Sequence, residues 1–145
     1  MMSEEEYIDS RLNDQIKWYS QKSAINQKYY KRLKLMEITA ATLIPFLSGF
    51  STQIPYVQWV IALLGVIIAI AAGVESLYKF QENWITYRAT AESLKHEKFL
   101  YLTNSEPYDA QNRFATLVSR VEHIIDKENK NWSIYTQKDS ATSAH

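Results

Sequence analysis

The chain of 145 residues contains no cysteine, and its 16 Lys and Arg are balanced by 16 Asp and Glu. Without cysteine there is no disulfide framework, no thiol nucleophile and no cysteine-based zinc or iron–sulfur site. Zero net charge argues against a general nucleic-acid binder, which needs a basic face to release counterions. Glycine and proline are scarce, with three of each. All three glycines (Gly49, Gly65, Gly73) and two prolines (Pro45, Pro55) fall between residues 45 and 73. Only Pro107 interrupts the rest, so the sequence reads as long helices with few breaks. The start, Met-Met-Ser-Glu-Glu-Glu, is acidic and lacks the basic and apolar stretches of a secretory signal.

The absence that says most is of charge. Residues 38–74 form a run of 37 without one Asp, Glu, Lys or Arg. Such a run is hard to reconcile with a soluble domain of this size, and it is long enough for two membrane spans joined by a short turn. The spans are expected at about 35–50 and 55–74, with residues 51–55 reversing the chain so that the two lie antiparallel. The second, 20 residues, makes about 30 Å of helix, the thickness of the hydrocarbon core. Pro55 suits the first turn of that helix, and Pro45 should kink the first span. Lys28, Lys31, Arg32 and Lys34 precede the spans, Lys79 and Arg88 follow them, and the turn has no basic residue. By the positive-inside rule both termini are cytoplasmic in a multi-pass protein. Tyr56 and Trp59 suit the outer aromatic belt, Tyr78 and Trp84 the inner one.

Outside the spans, helices are expected at about 4–34, 75–104 and 108–132. In the first, Ile8, Leu12, Ile16, Tyr19, Tyr30 and Leu33 follow a 3-and-4 spacing, weakened midway by Ser23 and Asn26 on the same face. In the second, Leu77, Phe80, Trp84, Tyr87, Ala91, Leu94, Lys98 and Tyr101 form a heptad seam with Lys98 as its exception. In the third, Phe114, Leu117, Val118, Val121, Ile124 and Ile125 share a face. The expected fold is therefore an all-α membrane protein. It comprises a two-span transmembrane hairpin with long cytoplasmic helix extensions and a C-terminal amphipathic helix packing back on them. Residues 1–135 make this single domain, and the small, polar tail 136–145 is expected to be disordered.

Candidate functional residues lie mostly at the spans. Glu37 and Glu75 sit at their cytoplasmic ends, where an ionisable group is costly and a ring of carboxylates in an oligomer would favour cations. Each also has a plain helical partner, Lys34 three residues before Glu37 and Lys79 four residues after Glu75. Thr39 and Thr42 could line an aqueous path, or bond their own helix carbonyls. Gly65, Ala69 and Gly73 form a small-residue ladder for close helix packing, within the chain or between subunits. Trp84, Tyr87, Arg88, Glu92 and Lys95 suit helix assembly beyond the span, although Arg88, Glu92 and Lys95 equally read as a solvated salt-bridge ladder. His96 and His123 each adjoin a glutamate, but neighbours in sequence do not share a helix face. There is no HExxH pair, phosphate-cradling glycine loop or nucleophile elbow. An enzyme is not expected, nor is any cofactor or metal.

The pattern Trp84-x-x-Tyr87-Arg88-x-x-Ala91-Glu92-x-Leu94-Lys95-x-Glu97, then Tyr101 and Pro107-Tyr108, carries a resemblance. With Trp18-Tyr19 and the Ala41–Leu47 segment, it resembles the SLATT superfamily of small two-transmembrane proteins associated with SMODS and SLOG domains. The similarity is to its domain-of-unknown-function branch, from about residue 7 to 132. The resemblance implies an effector of bacterial conflict systems in the inner membrane, forming a pore and triggered by a separate cytoplasmic sensor or nucleotide signal. It transfers no catalytic or ligand-binding residue. Two spans cannot enclose an aqueous path, so a channel requires a homo-oligomer in the lipid bilayer, expected to be a tetramer or pentamer. The competing expectation is a non-conducting, membrane-anchored scaffold for a cytoplasmic partner. No nucleic-acid partner is expected.

Overall fold

The structure, a computed structural model, describes residues 2–109 and 111–142, with side chains as far as residue 134. The described residues contain helices and turns and no strand. A short α1 (Glu4–Tyr7) leads through a π-helical turn (Ile8–Leu12) into α2 (Asn13–Ser48), followed by α3 (Val57–Tyr78), α4 (Phe80–Leu102) and α5 (Arg113–Thr142). Contacts divide the chain into two compact units, Met1–Ser23 with Ile85–His145, and Ala24–Trp84. The expected disordered tail, 136–145, falls largely outside the described residues. Its side chains are not described, and its backbone is described only to Thr142, as part of α5.

In the first unit, Ser3 opens the chain's first helix with a capping box: its hydroxyl accepts from Glu6 N at 3.1 Å and its own N–H donates to the Glu6 carboxylate at 3.4 Å. That satisfies two amides a helix start leaves open, and Glu4, Glu5 and Glu6 oppose the positive end of the dipole. The core joins Tyr7, Leu12 and Tyr19 to Ala91, Leu94 and Tyr101 of α4 and to Leu117, Val121 and Ile125 of α5. Phe114, Val118 and Ile124 pack around it, so the expected apolar face of the last helix is the buried one. The expected exception in the α4 seam, Lys98, donates from Nζ to Asn13 Oδ1 at 2.7 Å. It reaches past the apolar stripe and leaves its stem there.

α4 ends in a Schellman arrangement. Asn104 takes a left-handed φ of 51°, Ser105 N–H bonds Leu100 O at 3.0 Å, and Asn104 N–H bonds Tyr101 O at 3.2 Å. The last helix starts at Arg113 rather than near residue 108. Tyr108 instead belongs to the linker and is only 1 % exposed, a core residue held by backbone outside any helix.

In the second unit, the half-covered and buried positions of α2 include Asn26, Tyr30, Leu33, Glu37, Ala40, Ile44 and Leu47, with Gln27 and Lys34 half-covered beside them. This continues the 3-and-4 register of Ile16, Tyr19 and Ser23, so one stripe runs along the helix and carries Glu37 on it. On α3 the covered positions Val57, Ile61, Leu64, Ile68, Ala71 and Glu75 are again spaced 4, 3, 4, 3 and 4, with Ile67 and Val74 half-covered beside them. The rest of α3 is bare: Leu63 and Ile70 are each 60 % exposed.

One expectation is shown only in part here, and another needs correction. Only one helical stretch among the described residues is long and apolar enough to cross a membrane. It is Val57–Leu102, with a mean hydropathy of 2.5 over its best window and 11 % of that window buried. A core helix of such hydropathy would be covered; this one is not. The first expected span falls short because α2 stops at Ser48. Its charge-free part, residues 38–48, is about 16 Å long, roughly half the hydrocarbon core. The helix runs through Pro45 to that end. Pro55 does not open α3, which starts at Val57 after a turn in which Val57 N–H bonds Ile54 O at 3.2 Å.

The correction is at Lys79. Its φ of 49° and ψ of 45° are left-handed, and they break the expected continuous helix into α3 and α4. Leu77, expected on the α4 seam, is 76 % exposed as a result. The break resets the helical phase, and the seam begins at Phe80.

Candidate functional site

Within the second unit the structure brings Glu37 and Glu75 toward one cation. Lys34 Nζ donates to Glu37 Oε2 at 2.7 Å, with the Glu37 side chain 15 % exposed. Glu75 also lies within electrostatic range of Lys34. Its Oε1 accepts from Gln81 N at 3.3 Å, across the helix break. Its buried Oε2 has no hydrogen-bond partner. Both carboxylates therefore sit on the seams of their helices, joined by polar contacts of the same unit.

Thr39 and Thr42 do not join them. Both are exposed, off the seam that carries Glu37 and Ala40. Thr39 Oγ1 donates to Leu35 O at 2.8 Å, and Thr42 Oγ1 lies 3.0 Å from Ile38 O and 2.9 Å from Thr39 O. Ser48 Oγ donates to Ile44 O in the same way. These hydroxyls satisfy their own helix. Gly65 and Gly73 face open space, since a methyl built on either meets nothing within 4 Å, and Ala69 between them is exposed. The small-residue ladder is thus not the face that packs on α2 in this chain.

Of the residues expected in helix assembly, Trp84 and Tyr87 are half-buried. Tyr87 meets the rings of Trp18 and Tyr19 at 5.8 and 6.0 Å. Arg88 and Lys95 both pair with Glu92, each at 3.1 Å, a ladder on an exposed surface that contributes little alone.

The most organised chemistry is elsewhere, in the first unit. Glu122 of α5 accepts from Tyr7 Oη at 3.1 Å and, in a fork, from Arg11 Nε and Nη2 at 3.1 and 3.0 Å. Glu97 of α4, 5 % exposed, repeats the arrangement with Tyr108 Oη and with Arg120 Nε and Nη2 at 2.9 and 2.7 Å. In both, the tyrosine and the arginine Nε share one carboxylate oxygen and Nη2 takes the other. A third cluster is looser. Glu4 accepts from Tyr101 Oη at 2.5 Å and pairs with Arg113 at 3.7 Å, whose guanidinium lies 4.7 Å from the centre of the Tyr101 ring. Tyr19 Oη donates to Glu128 Oε2 at 3.1 Å.

These clusters shift acidities in physically opposite ways. Donation from Arg120 holds Glu97 below the usual carboxylate range, outweighing burial, and Arg11 does the same for Glu122. Burial, then the neighbouring Glu122 charge, pushes Tyr7 up to about 12. Tyr19 and Tyr108 are raised for the same reasons. The clusters eluded sequence reasoning because Tyr, Glu and Arg are ordinary surface residues of a helix. The only traces were Tyr7 and Arg11 four apart and Glu97 on the buried side of its heptad.

No group of three or more His, Asp or Glu side chains able to hold a metal occurs among the described residues. In comparison with known families, residues 14–115 match the model of one described as a protein of unknown function (DUF4231). No curated protein and no solved structure matches the chain.

Proposed function

The chain belongs to the DUF4231 family of proteins of unknown function, and from that premise we propose that it is a two-span protein of the bacterial inner membrane that assembles into a homo-oligomeric, ion-permeable pore. Its biological setting in this reading is that of an effector in a conflict or antiphage system, as the resemblance to the SLATT superfamily implies.

The bare apolar surface of α3 supports membrane insertion. Its ends carry exposed aromatic residues, Tyr56 and Trp59 at 76 and 77 % on one side and Tyr78 at 58 % on the other. They are separated by a helix of about 33 Å, the spacing of two interfacial belts. The second crossing uses α2. Its uncharged end lengthens toward the hydrocarbon thickness when the turn holding Lys34 and Glu37 enters the interface, which their ion pair and the flexible lysine stem make affordable. Both termini then lie in the cytoplasm with the first unit.

Assembly rests on one observation: a Cβ added at Gly65 or Gly73 meets nothing within 4 Å, and Ala69 between them is exposed. Small residues on a membrane helix let another backbone approach, and only several copies can surround water. The test is the subunit count of the full chain in nanodiscs by native mass spectrometry. Four or more copies carry the reading forward to current recordings; a monomer overturns it. The competing reading, a non-conducting scaffold, is favoured by Thr39, Thr42 and Ser48, whose hydroxyls all turn to their own helix. It predicts tight liposomes at every subunit count.

A further inference from the structure

In the second unit, one face of α2 carries three cations without a counter-charge. From residue 15 to residue 36 the helix holds six Lys and Arg and no Asp or Glu. Lys34 is engaged by Glu37 at 2.7 Å. Lys28, Lys31 and Arg32 are exposed, and none has a hydrogen bond or ion pair among the described residues. Their placement is regular. Lys28 and Arg32 open a 4-3-4-3-4 series with Leu35, Thr39, Thr42 and Phe46, and Lys31 stands four residues before Leu35. Every member of that series is exposed, Leu35 at 67 % and Phe46 at 64 %. It lies opposite the covered stripe of Tyr30, Leu33, Glu37, Ala40 and Ile44. The three cations therefore head the bare apolar face of α2, in line with it.

Aromatic contacts fix the height of these cations against the span. Tyr29, between Lys28 and Lys31 in sequence, stacks on Phe80 with ring centres 5.4 Å and planes 22° apart. Phe80 stacks in turn on Tyr78, at 5.4 Å and 12°. Tyr78 ends α3, so the cationic turn of α2 stands at the level where the long apolar helix stops. Along α2 itself, Arg32 lies about 4.5 Å and Lys28 about 10 Å before Leu35, the first apolar member of the series. The polar headgroup layer of a bilayer is about 5–8 Å thick on each side of the hydrocarbon. On the two-span reading, which is the premise here, the three cations fall in that layer. Their flexible stems let the charges reach its phosphates. An anionic leaflet attracts such residues, each strengthening binding about fivefold and three together on the order of a hundredfold.

We infer that Lys28, Lys31 and Arg32 form a docking surface for the headgroups of anionic phospholipids in the cytoplasmic leaflet. Net charge makes the choice: a zwitterionic headgroup brings its own cation to each phosphate, whereas an anionic one leaves the phosphate to the protein. The bound lipids supply the counter-charge that α2 lacks between Asp14 and Glu37.

Insertion and lipid choice are measured separately. The full chain is reconstituted into vesicles of equal parts phosphatidylcholine and phosphatidylglycerol, then washed with alkaline carbonate. Loss of the chain from the vesicles sinks the two-span reading and this inference with it; retention isolates the lipid question. The full chain in detergent is then titrated with phosphatidylglycerol or phosphatidylcholine, and bound lipids are counted by native mass spectrometry. Phosphatidylglycerol should bind more tightly by about tenfold or more, with the difference shrinking as salt is raised. Lys28→Gln, Lys31→Gln and Arg32→Gln together should weaken phosphatidylglycerol on the order of a hundredfold and leave phosphatidylcholine unchanged. Each substitution alone should weaken it about fivefold, which keeps the test decisive if the triple variant fails to insert. The charge-keeping combination Lys28→Arg, Lys31→Arg and Arg32→Lys should bind as the parent does. So should Lys17→Gln with Lys127→Gln, which removes two exposed cations of the first unit. Equal binding of the two lipids, full phosphatidylglycerol binding by the triple glutamine variant, or displacement of the lipid by soluble glycerol phosphate overturns the inference. A subunit count that falls in that variant while its lipid binding holds assigns the cations to a neighbouring copy and overturns it too.

Discussion

Buried tyrosine hydroxyls and the carboxylates that accept from them set the energetics of the first unit. A hydrogen bond to a charged group contributes about 1.5–3 kcal/mol, and stranding its buried partner costs more than the bond's mean. Tyr108→Phe removes one donor from Glu97 and leaves the Arg120 fork, so a loss of about 1–3 kcal/mol is expected in thermal unfolding followed by circular dichroism. Glu97→Ala should cost more, because it also orphans the Tyr108 hydroxyl; equal stability of the two variants would refute the shared-carboxylate account. The pH response has two sides. Glu97 and Glu122 are held below their ordinary range, so the unfolded chain binds protons first as pH falls. Their stabilisation is present above about pH 4.5 and is lost on acidification below it. Tyr7, raised to about 12 from 10.0, keeps its proton in the fold where the unfolded chain loses it. Its stabilisation is present below about pH 10 and lost as pH climbs through 12. Melting temperatures from pH 3 to 12 should therefore fall at both ends, with the acid limb shallower in Glu97→Gln. None of these pairings was legible in the sequence, since the Glu122, Glu128 and Glu4 pairings join residues roughly a hundred positions apart, and at Glu97 the partners are an arginine on the next long helix and a tyrosine outside any helix.

Helix breaks and seams belong to the next scale. The apolar faces of α4 and α5 were legible because their periods are regular and their residues large. The break at Lys79 was not, because residues 74–106 hold neither glycine nor proline and lysine is a good helix former. A left-handed lysine carries a steric penalty of about 1 kcal/mol that glycine lacks. Lys79→Gly should thus leave the fold intact and equal or exceed the parent in stability, whereas Lys79→Val should destabilise it by more than 1 kcal/mol. Chemical denaturation of both variants checks this, and a Val variant as stable as the Gly one would place the break elsewhere. The bounds of the first expected span were hard to read for a similar reason. A charge-free run shows where charge is absent, not where the helix ends, and α2 gives only residues 38–48 of that run to helix.

At the scale of the molecule, the all-helical character was legible from the scarcity of glycine and proline and the helical periods, and the charge-free run marked the apolar region, read there as two spans. The division into two units was not legible, because α2 and α4 each run through the boundary without a change in composition. The open Gly65 and Gly73 face separates folding from assembly. A Cβ added at Gly65 or Gly73 meets nothing within 4 Å, so for Gly65→Leu or Gly73→Leu monomer stability should change by less than about 0.5–1 kcal/mol. If copies meet through that face, the same variants should lower the subunit count in native mass spectra. A count unchanged by both substitutions moves the contact to another surface.

The three carboxylate clusters have one more consequence, for how the first unit opens. Glu122 ties the N-terminal segment to α5, Glu97 ties α4 to α5, and Glu4 reaches both α4 and α5. Every pair of its helical segments is thus bridged by a charged hydrogen bond or ion pair, the one at Glu97 buried. Fraying from one segment at a time would break such a bridge at each step and, at Glu97, leave a buried carboxylate unpaired. The slowest backbone amides of the N-terminal segment, α4 and α5 should therefore exchange with solvent deuterium at one shared free energy, as a single opening event.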